Sequence, residues 1–251
     1  MEAPATSTSM ASVTGAGGFL ASWLVKLLRS SPPAATPSAA PSEITVCGSK
    51  NAHLMELEGA GERLRLVKVD ILDYSSVALA VAGCEGVFHV ASPVPSGPCP
   101  NPEADIIAPA VTGTLNVLKA CYEAKVKRVV VEFGWYFLSK TLVEHEEAVE
   151  NRFENFVDVR DVADALLLAY ENPKASGRYL CISTLISVSD IINILKTLYP
   201  AYNYPKNFVE VGNIVTCNTE KLEKLGWSFR PMKETLRDSV ESYRALGGML
   251  N

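Results

Sequence analysis

Apolar residues along this chain follow two alternating rhythms. "ASVTGAGGFLASWLVKLLRSS" begins as a short β-prone run and passes through glycines. It continues with Leu20, Leu24, Leu27 and Leu28 at helical spacing. The stretch "SPPAATPSAAPSE" then reads as a surface loop of proline, serine and alanine. "ITVCG" is a second strand, "AHLMELEGAGE" a short helix stopping at glycine, and "LRLVKVD" a third strand. "DYSSVALAVAG" has a helical period with Asp73 placed to cap it, and "GVFHVA" is a fourth strand. "PAVTGTLNVLKACYEAK" predicts a long helix and "RVVVEF" a fifth strand. Near-continuous apolar strands alternating with helices predict an α/β fold, a doubly wound parallel sheet covered on both faces.

Beyond residue 150 the rhythm changes. "NRFENFVDVRDVADALLLAYEN" predicts a very short strand and a helix, "GRYLCIS" another strand, and "VSDIINILKTLYP" an amphipathic helix. "NTEKLEKLGWSFRPMKETLRDSVESYRALG" holds two further helical stretches. The expected organisation is a first domain over 1–150 and a smaller C-terminal α/β region over 151–251.

Charge and composition narrow the function. A net charge of −5 and the lack of a lysine- or arginine-rich run argue against a nucleic-acid partner. The longest apolar runs, such as Val77 to Ala82 and Ala165 to Tyr170, are too short to span a bilayer, so no membrane partner is expected. The opening "MEAPATSTSMAS" lacks the basic end and apolar core of a secretory signal, and carries no arginine of a mitochondrial address. The expected compartment is cytoplasmic. Cys47, Cys84, Cys99, Cys121, Cys181 and Cys217 form no Cys-x-x-Cys pair, and His53, His89 and His145 stand apart. That scatter predicts reduced thiols and no structural metal site.

Two patterns carry candidate chemistry. Gly15, Ala16, Gly17, Gly18, Phe19, Leu20 and Ala21 join the first strand to the first helix. Glycines there let the backbone turn tightly and approach a pyrophosphate, while the helix start offers free N–H groups. Asp70, followed by Ile71, is expected to end the third strand, where it could accept from an adenine amino group or serve as a helix-capping or turn aspartate. The second strand ends in "VCGSK" without a carboxylate for a ribose diol, and Lys50 could face a 2′-phosphate. This favours NADP(H) over NAD(H). In "GWYFLSKTLVEHEEA", Tyr136 and Lys140 fall one helical turn apart, as a proton-donating pair or as two residues sharing a face.

With these residues in place, the chain resembles the extended short-chain dehydrogenases/reductases, and within them the plant cinnamoyl-CoA reductase and dihydroflavonol reductase group. The resemblance is carried by "VTGAGGFLASWLVKLL" (13–28), "KNAHLMELEGAGERLRLVKVDILDYSS" (50–76), "GCEGVFHVASPV" (83–94), "PAVTGTLNVLKACYEAKVKRVVV" (109–131), "WYFLSKTLVE" (135–144) and "FENFVDVRDVADALLLAYENPKASGRYLC" (153–181). It implies a Rossmann-type dinucleotide-binding domain and a nicotinamide-dependent reductase of phenylpropanoid type, acting on a small aromatic aldehyde or acyl-CoA thioester. It further implies Tyr136 as the proton donor and Lys140 as the group that binds the nicotinamide ribose and lowers the tyrosine's pKa. Gly15, Gly18 and Ala21 take the phosphate-loop positions, Asp70 the adenine position, and Ala91 and Ser92 the backbone beside the cofactor.

Two departures stand against full activity. Family members place a serine after the fifth strand to orient the substrate carbonyl, whereas no serine or threonine lies between Lys127 and Tyr136 here. A sixth strand with a proline-containing turn is also missing after Glu150, so two internal segments are absent relative to the family. The resemblance thus implies an impaired reductase. The alternatives are a non-catalytic dinucleotide-binding protein or a truncated splice product.

Overall fold

The computed structural model describes residues 9–30, 43–47, 52–58, 60–94, 99–132, 148–212 and 214–245. The chain divides into two compact units, residues 1–134 with 163–176, and residues 135–162 with 177–251.

The first unit is built on β1 (Met10–Thr14), α1 (Phe19–Ser30), β2 (Glu43–Cys47), α2 (Ala60–Arg63), β3 (Leu64–Val67), α3 (Tyr74–Val81), β4 (Gly86–His89), α4 (Ala108–Glu123) and β5 (Arg128–Val131). All five strands run parallel in the order β3-β2-β1-β4-β5. The predicted doubly wound sheet is therefore present. β1 lies at its centre, and Ala11, Ser12, Val13 and Thr14 are all buried. Strands covered on both faces have no polar side to mark, which is why the central β1 and β4 read as near-continuous apolar runs, while β3 at the edge leaves Arg65 and Leu66 exposed.

Helix α1 buries Leu20, Ala21, Leu24, Val25 and Leu28. Its last carbonyls are not left open, because the Arg63 guanidinium donates to the oxygens of Arg29 (2.7 Å) and Leu28 (3.4 Å). Val77 and Val81 of α3 meet Val117, Ala120 and Cys121 of α4 in one cluster with Val87 of β4. Asp73 caps α3 as expected, accepting from the Ser75 amide at 3.0 Å. The segment predicted as one helix after β2 is instead a 3-10 turn (Ala52–Glu56) and then the four residues of α2. A π-helical segment, Glu103–Ile107, leads directly into α4.

The second unit holds β6 (Ala148–Asn151), β7 (Phe153–Phe156), the start of α5 (Val159–Glu171), β8 (Thr184–Ser187), α6 (Val188–Leu198), β9 (Asn207–Glu210), α7 (Glu220–Glu223) and α8 (Met232–Ala245). β6 pairs in parallel with β9, and β7 antiparallel with β8. Neither β6 nor β9 was expected as a separate strand. They are four residues each and form their own ribbon, so among the described residues β5 pairs only with β4. The strand predicted at "GRYLCIS" is displaced to β8. Both the amide and the hydroxyl of Ser183 bond to the Phe156 carbonyl (2.9 Å each), and ladder pairing starts at Thr184. The distal part of α5, which counts with the first unit, lays Tyr170 against β4. A Cβ on Gly86 would fall 2.2 Å from its ring, and the ring lies 5.0 Å from that of Phe88.

Buried carboxylates organise the second unit. Asp158 is buried and paired with Arg160 at 2.7 Å, and it accepts from the Thr235 hydroxyl at 2.9 Å. Arg160 also reaches Asp238 of α8 at 2.8 Å. Asp161 binds Arg230, and its carbonyl accepts from the Trp227 indole at 2.8 Å. Among the described residues, no helix is long and apolar enough to cross a membrane, and Cys84, Cys99, Cys121, Cys181 and Cys217 are in no disulfide.

Burial pushes the Asp158 carboxyl up, but hydrogen bonds from Arg160 and Thr235 outweigh it and hold the group below its ordinary value. Its contribution to stability is therefore present above the ordinary carboxylate pKa of about 4 and lost as pH falls through the lowered one. Arg160→Met should strand the carboxylate and lower the unfolding free energy by about 3 kcal/mol. Asp158→Asn should flatten the fall in urea midpoint below about pH 4. Urea titrations of the three proteins across pH check both outcomes.

Candidate functional site

From β1 the sheet runs outward through β2 and β3 on one side, and the chain then returns to place β4 on its other side. The order reverses between β1 and β4, and in an open parallel sheet a crevice forms beyond the carboxyl ends of such a pair. Thr14 and His89 are register partners at those ends. The two loops that leave the sheet there, one after Thr14 and one after His89, build the candidate site.

After Thr14 the chain turns at Gly15, with φ +70°. The turn closes through the Gly18 amide on the Gly15 carbonyl at 2.8 Å, and Ser22 begins the helical ladder on the Gly18 carbonyl at 3.0 Å. The amides of Phe19, Leu20 and Ala21 lie ahead of that ladder, as at any helix start. Gly15 is demanded twice, by its conformation and by space. A Cβ there would sit 2.7 Å from the Ala91 Cα and 2.9 Å from its nitrogen. The segment after β4 is thus in van der Waals contact with the turn after β1.

The predicted residues separate by exposure. Gly18, Phe19 and Ser92 are exposed, with Phe19 at 69%, while Gly15, Gly17 and Ala91 are half-buried. Leu20 and Ala21 point into the core of α1, so only their backbone faces the turn. β3 ends at Val67, and Asp70 lies three residues past it in an exposed turn, not on the strand. Its Oδ1 accepts from the Leu72 amide at 2.9 Å, and its carbonyl from the Asp73 amide at 3.1 Å. The turn-aspartate reading is therefore realised with one oxygen, and among the described residues the other has no donor. Ile71 packs on Gly113 of α4, where a Cβ would fall 2.7 Å from its Cδ1. Lys50, Tyr136 and Lys140 lie outside the described residues.

Four residues of this region, Thr14, His89, Thr114 and Asn116, were not singled out as site residues from the sequence. The Thr14 hydroxyl accepts from the amides of Val90 (3.2 Å) and Ala91 (3.1 Å) and lies 2.8 Å from His89 Nδ1. His89 Nε2 lies 3.1 Å from the Thr114 hydroxyl on α4. Burial pushes the imidazole pKa down to about 4, so the ring is neutral near pH 7. Asn116, one turn up that face of α4 from Gly113, donates to the carbonyls of Ile71 (3.0 Å) and Leu72 (3.1 Å). The turn holding Asp70 is thereby anchored to the helix between β4 and β5. The one available signal was a histidine inside the apolar strand "GVFHVA", where a buried polar ring requires partners.

Comparison with known proteins matches this arrangement. Residues 11–132 fit the NAD dependent epimerase/dehydratase family. The chain is 33% identical to cinnamoyl-CoA reductase 1 of Petunia hybrida, across 94% of this chain and 92% of the relative. It is 32% identical to tetraketide alpha-pyrone reductase 1 of Arabidopsis thaliana, across 92% and 94%. Among solved structures, yeast methylglyoxal/isovaleraldehyde reductase Gre2 complexed with NADPH superposes with a TM-score of 0.73 at 18% identity, covering 96% of this chain and all of that one. At that identity the likeness speaks for the fold.

The petunia alignment runs over 322 positions, while 94% of 251 residues is about 236. About 86 of its positions therefore have no residue of this chain opposite them, although both ends of the relative are nearly reached. Internal segments present in that relative are absent here. The chain belongs to the NAD dependent epimerase/dehydratase family of extended short-chain dehydrogenases/reductases, in the group of the plant cinnamoyl-CoA and dihydroflavonol reductases.

Proposed function

We propose that this chain is an NADP(H)-dependent reductase of a small aromatic aldehyde or acyl-CoA thioester, with Tyr136 as proton donor and with reduced catalytic power. The observation that carries this reading is the bare turn at Gly15. Its backbone is pressed against Ala91 at the switch point of the sheet, where a side chain has no room. Family membership supplies the chemical class.

In this reading residues 1–150 are the dinucleotide-binding part and 151–251 the substrate part. The bare backbone of Gly15, Gly17 and Gly18 and the first amides of α1, from Phe19, Leu20 and Ala21, would hold the phosphates. The free Asp70 oxygen, beside Ile71, would accept from the adenine amino group, and Lys50 would face a 2′-phosphate. Ala91 and Ser92 would line the path towards the nicotinamide, whose ribose would lie on Tyr136 and Lys140. When bound, the nicotinamide supplies the hydride for the substrate's carbonyl carbon. Tyr136 gives its phenolic proton to the carbonyl oxygen, and the Lys140 ammonium makes that proton easier to release. No hydroxyl residue lies between Lys127 and Tyr136 to share the developing negative charge. Loss of one such donor costs about 3 kcal/mol, on the order of 100-fold in rate.

A second reading, a dinucleotide-binding protein without turnover, is favoured by the roughly 86 positions of the petunia relative that have no counterpart here. The two readings differ in product formation alone.

Calorimetric titration should show NADPH binding tighter than NADH, with Lys50→Ala narrowing the gap. Gly18→Asp puts a carboxylate at the exposed turn and should weaken NADPH by about tenfold or more. Equal affinity in wild type and Gly18→Asp would refute the phosphate role of the turn. A tighter complex with NADH would refute the cofactor preference.

With NADPH and a panel of cinnamoyl-CoA esters and aromatic aldehydes, turnover should stay below about 1 s⁻¹, the lower end of ordinary enzyme rates. Tyr136→Phe should abolish it while leaving NADPH binding within about threefold of wild type. Activity unchanged in Tyr136→Phe would overturn the assignment of the proton donor. NADPH binding without any product would select the second reading.

A further inference from the structure

We propose that His89, as the Nε2–H tautomer, is a positioning residue for the dinucleotide turn: it takes the proton of the Thr14 hydroxyl and so commits that oxygen to the Val90 and Ala91 amides. The proposal rests on the dinucleotide reading of the Gly15 turn and adds the device that holds the turn's opposite wall in place.

The tautomer is fixed by donor counting. A threonine hydroxyl has one proton and two lone pairs. The Thr14 oxygen accepts from Val90 N at 3.2 Å and from Ala91 N at 3.1 Å, which uses both lone pairs. Its proton is then left for His89 Nδ1, 2.8 Å away, and that nitrogen must be bare. A neutral ring with a bare Nδ1 carries its proton on Nε2, where the Thr114 hydroxyl lies 3.1 Å off as acceptor. Thr14 and His89 are each 2% exposed, so water cannot replace a missing partner. The burial that lowers the imidazole pKa keeps the ring in this neutral form.

The consequence is geometric. With its proton engaged by His89, Thr14 can only accept from the two amides just past β4. Those amides fix the Ala91 backbone at the distance where a Cβ on Gly15 would collide with it. If Nδ1 carried the proton, it would donate to Thr14 and displace one of the two amides. The link from His89 through Thr14 to Ala91 thus sets the gap between the two loops at the switch point, and the Thr114 bond satisfies the Nε2 proton. His89 touches no reacting atom in this scheme and acts through Thr14.

Two substitutions separate this role from general core stability. Asparagine can place an amide oxygen near the Nδ1 position and accept from Thr14, whereas glutamine places its amide near Nε2 and keeps only the Thr114 bond. Each loses one of the two hydrogen bonds. His89→Gln should weaken NADPH binding by about tenfold or more, while His89→Asn should stay within about threefold of wild type. In the unliganded proteins, the Val90 and Ala91 amides should exchange with deuterium markedly faster in His89→Gln and remain protected in His89→Asn. Long-range ¹⁵N–¹H correlation on wild type should show the imidazole proton on Nε2.

Equal loss of affinity and protection in both variants would overturn the proposal, as would a proton found on Nδ1. If wild type itself fails to bind NADPH, the dinucleotide reading falls. The amide exchange and the tautomer then still uphold or overturn His89's hold on the 90–91 backbone.

Discussion

The contact between the backbone of Gly15 and that of Ala91 is the constraint on which the candidate site depends. Two strands run side by side, each must leave the sheet at its carboxyl end, and their exits approach to the limit of atomic contact. Only a residue without Cβ, able to take φ +70°, turns there. Hydrogen bonds around it tie the neighbouring loops to the sheet and to α4. Thr14 ties β1 to the amides after β4, His89 ties Thr14 to α4, and Asn116 of the same helix carries the turn that bears Asp70. Helix α4 is therefore both a cover for the sheet and the common anchor of two separate loops around the crevice.

This local order contrasts with what the family relationship says about the rest of the chain. The first unit has the five-stranded parallel sheet, its core clusters and a well-formed glycine turn. Against the petunia relative, about 86 positions are missing from within the aligned span. Among the described residues, the strands beyond β5 pair with each other in two ribbons and none pairs with β5. The chemistry expected of a reductase needs a donor to the developing oxyanion, and the sequence between Lys127 and Tyr136 has no hydroxyl to provide one. In the proposed reading, cofactor binding and catalysis rest on different parts of the molecule, and the missing positions bear on the second more than on the first.

The second unit is held differently. Its strands are four residues long and its ribbons two-stranded, too small to supply much apolar burial by themselves. Carboxylate–guanidinium pairs at Asp158 and Asp161, with the Trp227 indole on a backbone carbonyl, tie the start of α5 to the segments around α8. Buried charges require their partners, so these pairs specify one arrangement more than they add net stability.

Local periodicity and short-range backbone demands were enough for the strand–helix alternation of the first unit, its parallel sheet, the cap at Asp73 and the glycine turn. The same reading missed the division of "AHLMELEGAGE", shifted the strand at "GRYLCIS" onto Thr184–Ser187, and did not foresee β6 or β9. Short strands pair or not according to partners far along the chain, which no local pattern records. The roles around the crevice came from tertiary packing alone. Thr14 and His89 lie 75 residues apart, and Asn116 lies 45 residues from Ile71. A histidine in an apolar strand is legible as a buried ring that needs partners, but which atoms satisfy it depends on where parallel pairing brings the strand ends. Periodicity fixes which face a residue occupies, and only the packed sheet fixes what it meets there.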